Sequence, residues 1–145
     1  MQNAWHSARP HDFSEGANMT KPEFTGHRDL AYNRWHRTIG PEYYMIDLDC
    51  VEWRHGRGTV AIMERTCYTR KYSIAQILEF KKFQLKVTAE VARAANVPAY
   101  LILYEKNQHN TPTSFHVFEL DITTGEANFI REMTEQQYAE FLRNL

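Results

Sequence analysis

Asp47, Asp49, Glu64 and Thr66 are the residues of this chain whose types and spacing point most directly to chemistry. Two segments rich in Val, Ile, Tyr, Trp and Thr, Tyr43 to Arg54 and Thr59 to Tyr68, flank His55-Gly56-Arg57-Gly58. Glycines between two such runs predict a β-hairpin. A four-residue loop that closes symmetrically sets Trp53 opposite Val60, Val51 opposite Ile62, Asp49 opposite Glu64 and Asp47 opposite Thr66. Opposed residues share a face, and every second residue returns to it. One face is then apolar near the turn and acidic at its far end. Like charges opposed across a ladder destabilise it unless a proton, a basic neighbour or a cation compensates. Mg²⁺ or Mn²⁺ suits that role, because such a hard ion prefers oxygen, keeps several waters and is bound through one or two carboxylates plus phosphate oxygens. Two other readings stand beside it: the acids decorate a solvent face, or a one-residue register slip carries one strand's acids to the opposite side.

The remaining elements must position that face. Leu30 to Thr38 has the pattern of a short amphipathic helix ended by Gly40-Pro41. Ser73 with Gln76 three positions later forms a capping box and opens a helix reaching about Ala95, which Asn96-Val97-Pro98 stops. Ile77, Phe80, Val87 and Val91 recur at helical spacing and are expected to pack on the sheet. Gln84 interrupts this stripe and, as a buried amide, must either bond backbone or reach into the site. Ala99 to Glu105 predicts a buried strand, Ser114 to Ile122 an alternating one, and Ala127 to Arg131 an edge strand. Thr134 with Gln137 caps a last helix to Leu145.

The succession WHR (from Trp35), IDLDCVEWR (from Ile46), a short turn, VAIMERT (from Val60) and a long helix ending in NVPAYLILY (from Asn96) resembles the PD-(D/E)xK nuclease superfamily, particularly its small phage and bacterial members, over roughly residues 35 to 105. The resemblance implies an α/β fold with a restriction-endonuclease-like αβββαβ core, a mixed central sheet flanked by helices. It also implies a divalent ion on Asp49 and Glu64, with Asp47 as an additional ligand. In that family a lysine two residues beyond the second acid helps activate the attacking water, and here Thr66 occupies its place. A hydroxyl cannot supply the positive charge of lysine. Some members carry a lysine or glutamine on the helix beside the metal instead, which makes Lys81 the substitute to expect, ahead of Lys71 and Arg65. The alternative is a Lys81 stem lying on apolar surface with its head in solvent. By the same resemblance His36 or Arg37 approaches a phosphate, and Arg65 and Gln84 join the nucleic-acid surface.

The implied activity is cleavage of DNA by an endo- or exonuclease that needs Mg²⁺ or Mn²⁺. The second reading is a nuclease fold without catalysis that binds nucleic acid or inhibits a protein partner, and a homodimeric structural protein is a third. Basic residues concentrate where the site is expected: between Trp53 and Arg93 there are nine Lys or Arg against three Glu, while from Glu119 onward six acids face two Arg. Phosphate contact depends on such local patches rather than on the net charge of −1.

At 145 residues with 43% hydrophobic content, the chain can build one domain with a real core. Residues 1–24 have the composition of a flexible arm and 25–145 that of a single nuclease-like domain. Neither a membrane-length apolar run nor a signal-peptide core is present. Cys50 and Cys67 are expected as buried free thiols on non-facing positions, which suits a reducing cytoplasm and, through the phage resemblance, a bacterial host. The histidines lack the local spacing of structural zinc, and phosphate-binding glycine loops and serine-nucleophile motifs are missing.

Overall fold

A computed structural model of the chain describes residues 30–36, 38–40 and 46–145. The expected 1–24 arm therefore lies outside the described residues. The chain divides into the units Met1–Tyr43 and Tyr44–Leu145. In the first unit, helix α1 (Leu30–His36) ends where Thr38 donates its hydroxyl to the Trp35 carbonyl at 2.7 Å.

The second unit is α/β. It runs β1 (Cys50–Arg54), β2 (Gly58–Cys67), α2 (Ile74–Ala95), β3 (Ala99–Lys106), β4 (Pro112–Leu120), β5 (Ala127–Thr134) and α3 (Glu135–Arg143). The strands form one mixed sheet in the order β1-β2-β3-β4-β5, antiparallel throughout except for the parallel β2–β3 pair that α2 bridges. A parallel pair needs such a crossover. Both expected capping boxes form: Ser73 with Gln76 on α2, and Thr134 with Gln137 on α3. Among the described residues, no helix is long and apolar enough to cross a membrane.

Alternation along the strands gives the sheet two apolar faces. Ile62, Leu101, Leu103, Phe118 and Leu120 pack under Ile77, Leu85, Ala89 and Ala92 of α2. Ala61, Met63, Tyr100, Ile102, Phe115, Val117 and Met133 pack under Tyr138, Phe141 and Leu142 of α3. The expected stripe on α2 is thus rotated. Ile77 is buried and the half-buried Val91 packs against the core as expected, but Phe80 is 69% exposed, and Leu85, Ala89 and Ala92 rather than Val87 complete the buried stripe. Small alanines let the helix axis approach the sheet, which turns the bulky flank outward.

The hairpin departs from the symmetric loop in two ways that cancel. Arg54 pairs with Gly58 and Trp53 with Thr59, a tighter turn with Gly56 and Gly58 both at positive φ. A bulge between Glu52 and Trp53 then inserts one extra residue on β2, so that Val51 meets Ile62 and Cys50 meets Met63. The strand itself begins at Cys50 rather than Tyr43, and residues 41–45 lie outside the described residues. The β1 side of the face that is apolar near the turn lies in solvent, since Val51 and Trp53 are exposed. β1 is one edge of the sheet, β5 being the other, and α2 rests on β2 and β3. The hairpin tip is held elsewhere: Arg54 and Arg57 donate to the carbonyls of Leu142 and Leu145, at 2.7 and 2.6 Å, at the C-terminal end of α3.

The β4–β5 loop braces α2. Asp121 accepts from the backbone N–H groups of Thr123 and Thr124, both at 2.8 Å, and the turn brings Gly125, at φ +77, against the helix backbone. A Cβ on Gly125 would stand 2.6 Å from Cα of Lys86. Gly125→Ala is expected to lose roughly 2 to 4 kcal/mol in denaturant unfolding, through the left-handed backbone and the clash together. Gly56→Ala, also at positive φ but with nothing within 4 Å of the added carbon, should lose only about 1 to 2 kcal/mol.

Candidate active site

Glu64 is the centre of the site. It sits in mid-β2 on the face under α2 and is 1% exposed, a position where an uncompensated carboxylate costs several kcal/mol. α2 supplies the compensation. Lys81 Nζ lies 2.6 Å from one carboxylate oxygen, and Gln84 Nε2 donates to the other at 2.9 Å. Lys81 also donates to Gln84 Oε1 at 3.4 Å. Residues 81 and 84 are neighbours on a helix surface, so both reach the same target.

Continuing the hairpin ladder one residue past Cys50–Met63 brings Asp49 level with Glu64. Asp49 Oδ2 accepts the backbone N–H of Arg65 at 3.1 Å, which ties the approach to β1 onto β2. The two carboxyl groups converge as the opposed pairing requires. Burial raises the Glu64 pKa above its ordinary value, the Lys81 hydrogen bond and charge oppose the rise, and the nearby Asp49 carboxyl adds to it.

The other expected site residues fall as follows. Asp47 is exposed, two positions before Asp49 and outside the strand. Thr66 is half-buried on the Glu64 face. Arg65 points to the opposite face, where its charge acts on the Cys50 thiol and the Tyr138 hydroxyl. Its guanidinium is therefore turned away from the Glu64 carboxylate, but it donates to the Asp49 main-chain carbonyl at 3.4 Å, so Arg65 holds Asp49 through both its side chain and its main-chain N–H. Lys71 is exposed against the Tyr72 ring. His36 is half-buried in the first unit, in ring contact with Tyr32, and Arg37 lies outside the described residues. Cys50 and Cys67 are free thiols, half-buried rather than buried.

Sequence reasoning missed two features. One is the Arg65 N–H, a backbone group with no signature in the letters. The other is a Glu105, His116 and Glu132 group whose ligand atoms lie within 4.8 Å of one another. The strand pairing of β3, β4 and β5 is the signal that would have found it.

The donor set fits a hard divalent ion. Asp49 and Glu64 offer carboxylate oxygens, Gln84 holds one of them in orientation, and two carboxyl groups brought together in their ionised form repel unless a cation joins them. Two carboxylates and one ammonium sum to one negative charge. A dication reverses that to one positive, complementary to a phosphodiester.

In the metal-free protein, Glu64 followed by carboxyl carbon NMR should titrate above the ordinary glutamate range, and higher still in Lys81→Met. A folded pKa above the unfolded one means the folded state holds more protons between the two values. Over that window stability therefore falls as pH rises. At neutral pH Lys81→Met should be roughly 2 to 4 kcal/mol less stable than the natural protein, with the deficit shrinking as acid protonates Glu64. The chain matches no protein-family model, no curated protein and no solved structure, so any reading of this site rests on its own geometry.

Proposed function

We propose that this chain is a metal-dependent phosphodiesterase acting on DNA, built on the plan of the PD-(D/E)xK nucleases with the motif lysine moved from β2 to α2. The observation that carries the reading is the 2.6 Å contact between Lys81 Nζ and Glu64. A helix lysine there brings an ammonium beside the second acid, which Thr66 at the usual lysine position cannot do. The β1–β2 hairpin, the α2 crossover and the parallel β3 agree with part of the restriction-endonuclease-like arrangement. The full αβββαβ core calls for a further strand ahead of α2 than the two found among the described residues.

Asp49 and Glu64 would hold Mg²⁺ or Mn²⁺, with Asp47 within two residues to assist. When bound, the ion supplies Lewis acidity toward the scissile phosphate and lowers the pKa of a water. Lys81 carries positive charge to the phosphate oxygens or orients the attacking water, and its grip on Glu64 keeps the second acid ionised despite burial. Gln84 fixes the plane of that carboxylate. The Arg65 N–H fixes Asp49, so both acids are held from the protein side before substrate arrives. Lys82 and Lys86, exposed on α2, add positive charge for the phosphate backbone.

The second reading, a nuclease fold that binds nucleic acid or a protein without cutting, is favoured by the same ion pair seen from the other side: Lys81 already neutralises Glu64.

Incubation with plasmid and single-stranded DNA in Mg²⁺ or Mn²⁺ separates the two. Asp49→Asn and Glu64→Gln are each expected to reduce cleavage by about 10³-fold or more, and Lys81→Met by about 10² to 10⁴-fold. Adding Thr66→Lys to Lys81→Met should restore part of the rate, because it returns an ammonium to the same carboxylate from β2. No cleavage by the natural protein with either ion supports the non-catalytic reading. Full activity in Glu64→Gln would refute the site.

A further inference from the structure

Three adjacent strands bring a second polar group to the α2 face of the sheet. His116 on β4 is paired with Leu103 on β3 and with Glu132 on β5. Glu105 lies two residues beyond Leu103, so all three side chains rise on one face. It is the face that carries Glu64, because Glu64 pairs with Leu101 and Thr66 with Leu103. β4 lies two strands from β2, a lateral separation of about 10 Å. That is too far for the paired ions of a two-metal centre, which sit about 4 Å apart.

The group has unequal parts. His116 is 8% exposed and its ring meets Tyr68 edge to face at 5.5 Å, so the imidazole is locked. Its Nε2 lies 3.2 Å from Glu105 Oε2. Glu132, at the exposed end, accepts the Ser114 hydroxyl at 2.7 Å. Arg70 reaches in from the turn between β2 and α2 and donates to both oxygens of Glu105, at 2.7 and 3.2 Å. That arginine has 68% of its side chain exposed. It is the one Lys or Arg side chain hydrogen-bonded to the group among the described residues, and its guanidinium also rests over the Tyr68 ring, 5.8 Å from its centre.

We propose that Glu105, His116 and Glu132 form a binding site for a borderline dication, Zn²⁺ foremost, separate from the Asp49–Glu64 centre, with the Arg70 guanidinium standing in for the ion when it is absent. One imidazole nitrogen and two carboxylate oxygens select Zn²⁺ over the all-oxygen preferences of Mg²⁺ and Ca²⁺. Three protein ligands leave a coordination position for water or a substrate group. Ligand atoms about 2.0 to 2.2 Å from one ion stand about 3 to 3.5 Å from each other. The ligand atoms lie within 4.8 Å of one another, with His116 Nε2 already 3.2 Å from Glu105 Oε2, so the widest gap closes by at most about 1 to 2 Å. The exposed Glu132 and the partly exposed Glu105 supply that movement while the buried imidazole stays in place. Ser114 orients Glu132 in the way that outer hydrogen bonds orient metal ligands. The absence of local zinc spacing in the sequence has no bearing here, since the ligands come from three strands.

Arg70 separates this site from a simple ion-pair network. In a network, loss of the arginine only weakens the cluster; at a metal site it removes a competitor. The test is Zn²⁺ titration of the untagged full-length chain by calorimetry under excess Mg²⁺, with Co²⁺ absorption as the spectroscopic probe of a nitrogen-containing site. One Zn²⁺ is expected per chain. Glu132→Gln, an exposed change that leaves the core intact, should weaken binding at least about tenfold, and His116→Gln should do so too wherever it folds. Arg70→Gln should tighten binding several-fold, and Glu64→Gln should leave it unchanged while removing DNA cleavage. Zn²⁺ binding that is absent, or that is the same in Glu132→Gln and Arg70→Gln as in the natural chain, overturns the proposal whatever the fate of the nuclease reading.

Discussion

One buried carboxylate sets the terms for the second unit. Glu64 lies in the middle of β2 under a 22-residue helix, where water cannot solvate it. Its charge can persist only if protein groups replace the lost hydration. Lys81 and Gln84 do so from one turn of α2, which fixes the helix in both rotation and height. A helix rotated by one residue would put an apolar side chain over the carboxylate and send the ammonium to solvent.

The rest of the unit holds that geometry. Gly125 lets the β4–β5 loop touch the helix backbone at Lys86, one turn beyond Lys82 and adjacent to Leu85 in the core. On the other face, Phe115 stacks on Tyr138 with ring centres 4.2 Å apart, and α3 holds the hairpin tip through two arginines. Helix α3 therefore steadies β1, the edge strand that leads back to Asp49, without approaching the acids. The Arg65 N–H completes the arrangement by joining Asp49 to β2. Positioning is thus divided: α2 serves the second acid, and the hairpin backbone serves the first.

The acidic pairing was legible because the side-chain period of a strand is two, and because two irregularities offset each other. The turn is one residue tighter than a symmetric four-residue loop, and the bulge near Trp53 adds the residue back. Neither can be read from Gly56 and Gly58 alone. Lys81 entered only through the resemblance, beside the alternative of a head turned to solvent, and its place against Glu64 was decided by how α2 packs on β2. The apolar stripe of α2 was misjudged at Phe80, since hydrophobicity alone does not say which large side chain is turned outward when alanines bring a helix close to a sheet. The Glu105, His116 and Glu132 group escaped notice because its members are far apart in the chain and meet only through two strand ladders.

Capping boxes, strand periodicity and the glycine turn are local, and their free energies act within a few residues. They are why the letters suffice to place α2 and α3, the succession of strands along the chain and the acidic end of the hairpin. Whether a carboxylate ends up in water or under a helix, which arginine turns to which face, and which distant side chains share a pocket depend on how whole elements pack. Those outcomes follow from desolvation and from ladder pairing summed over the sheet, quantities that no short window of sequence contains.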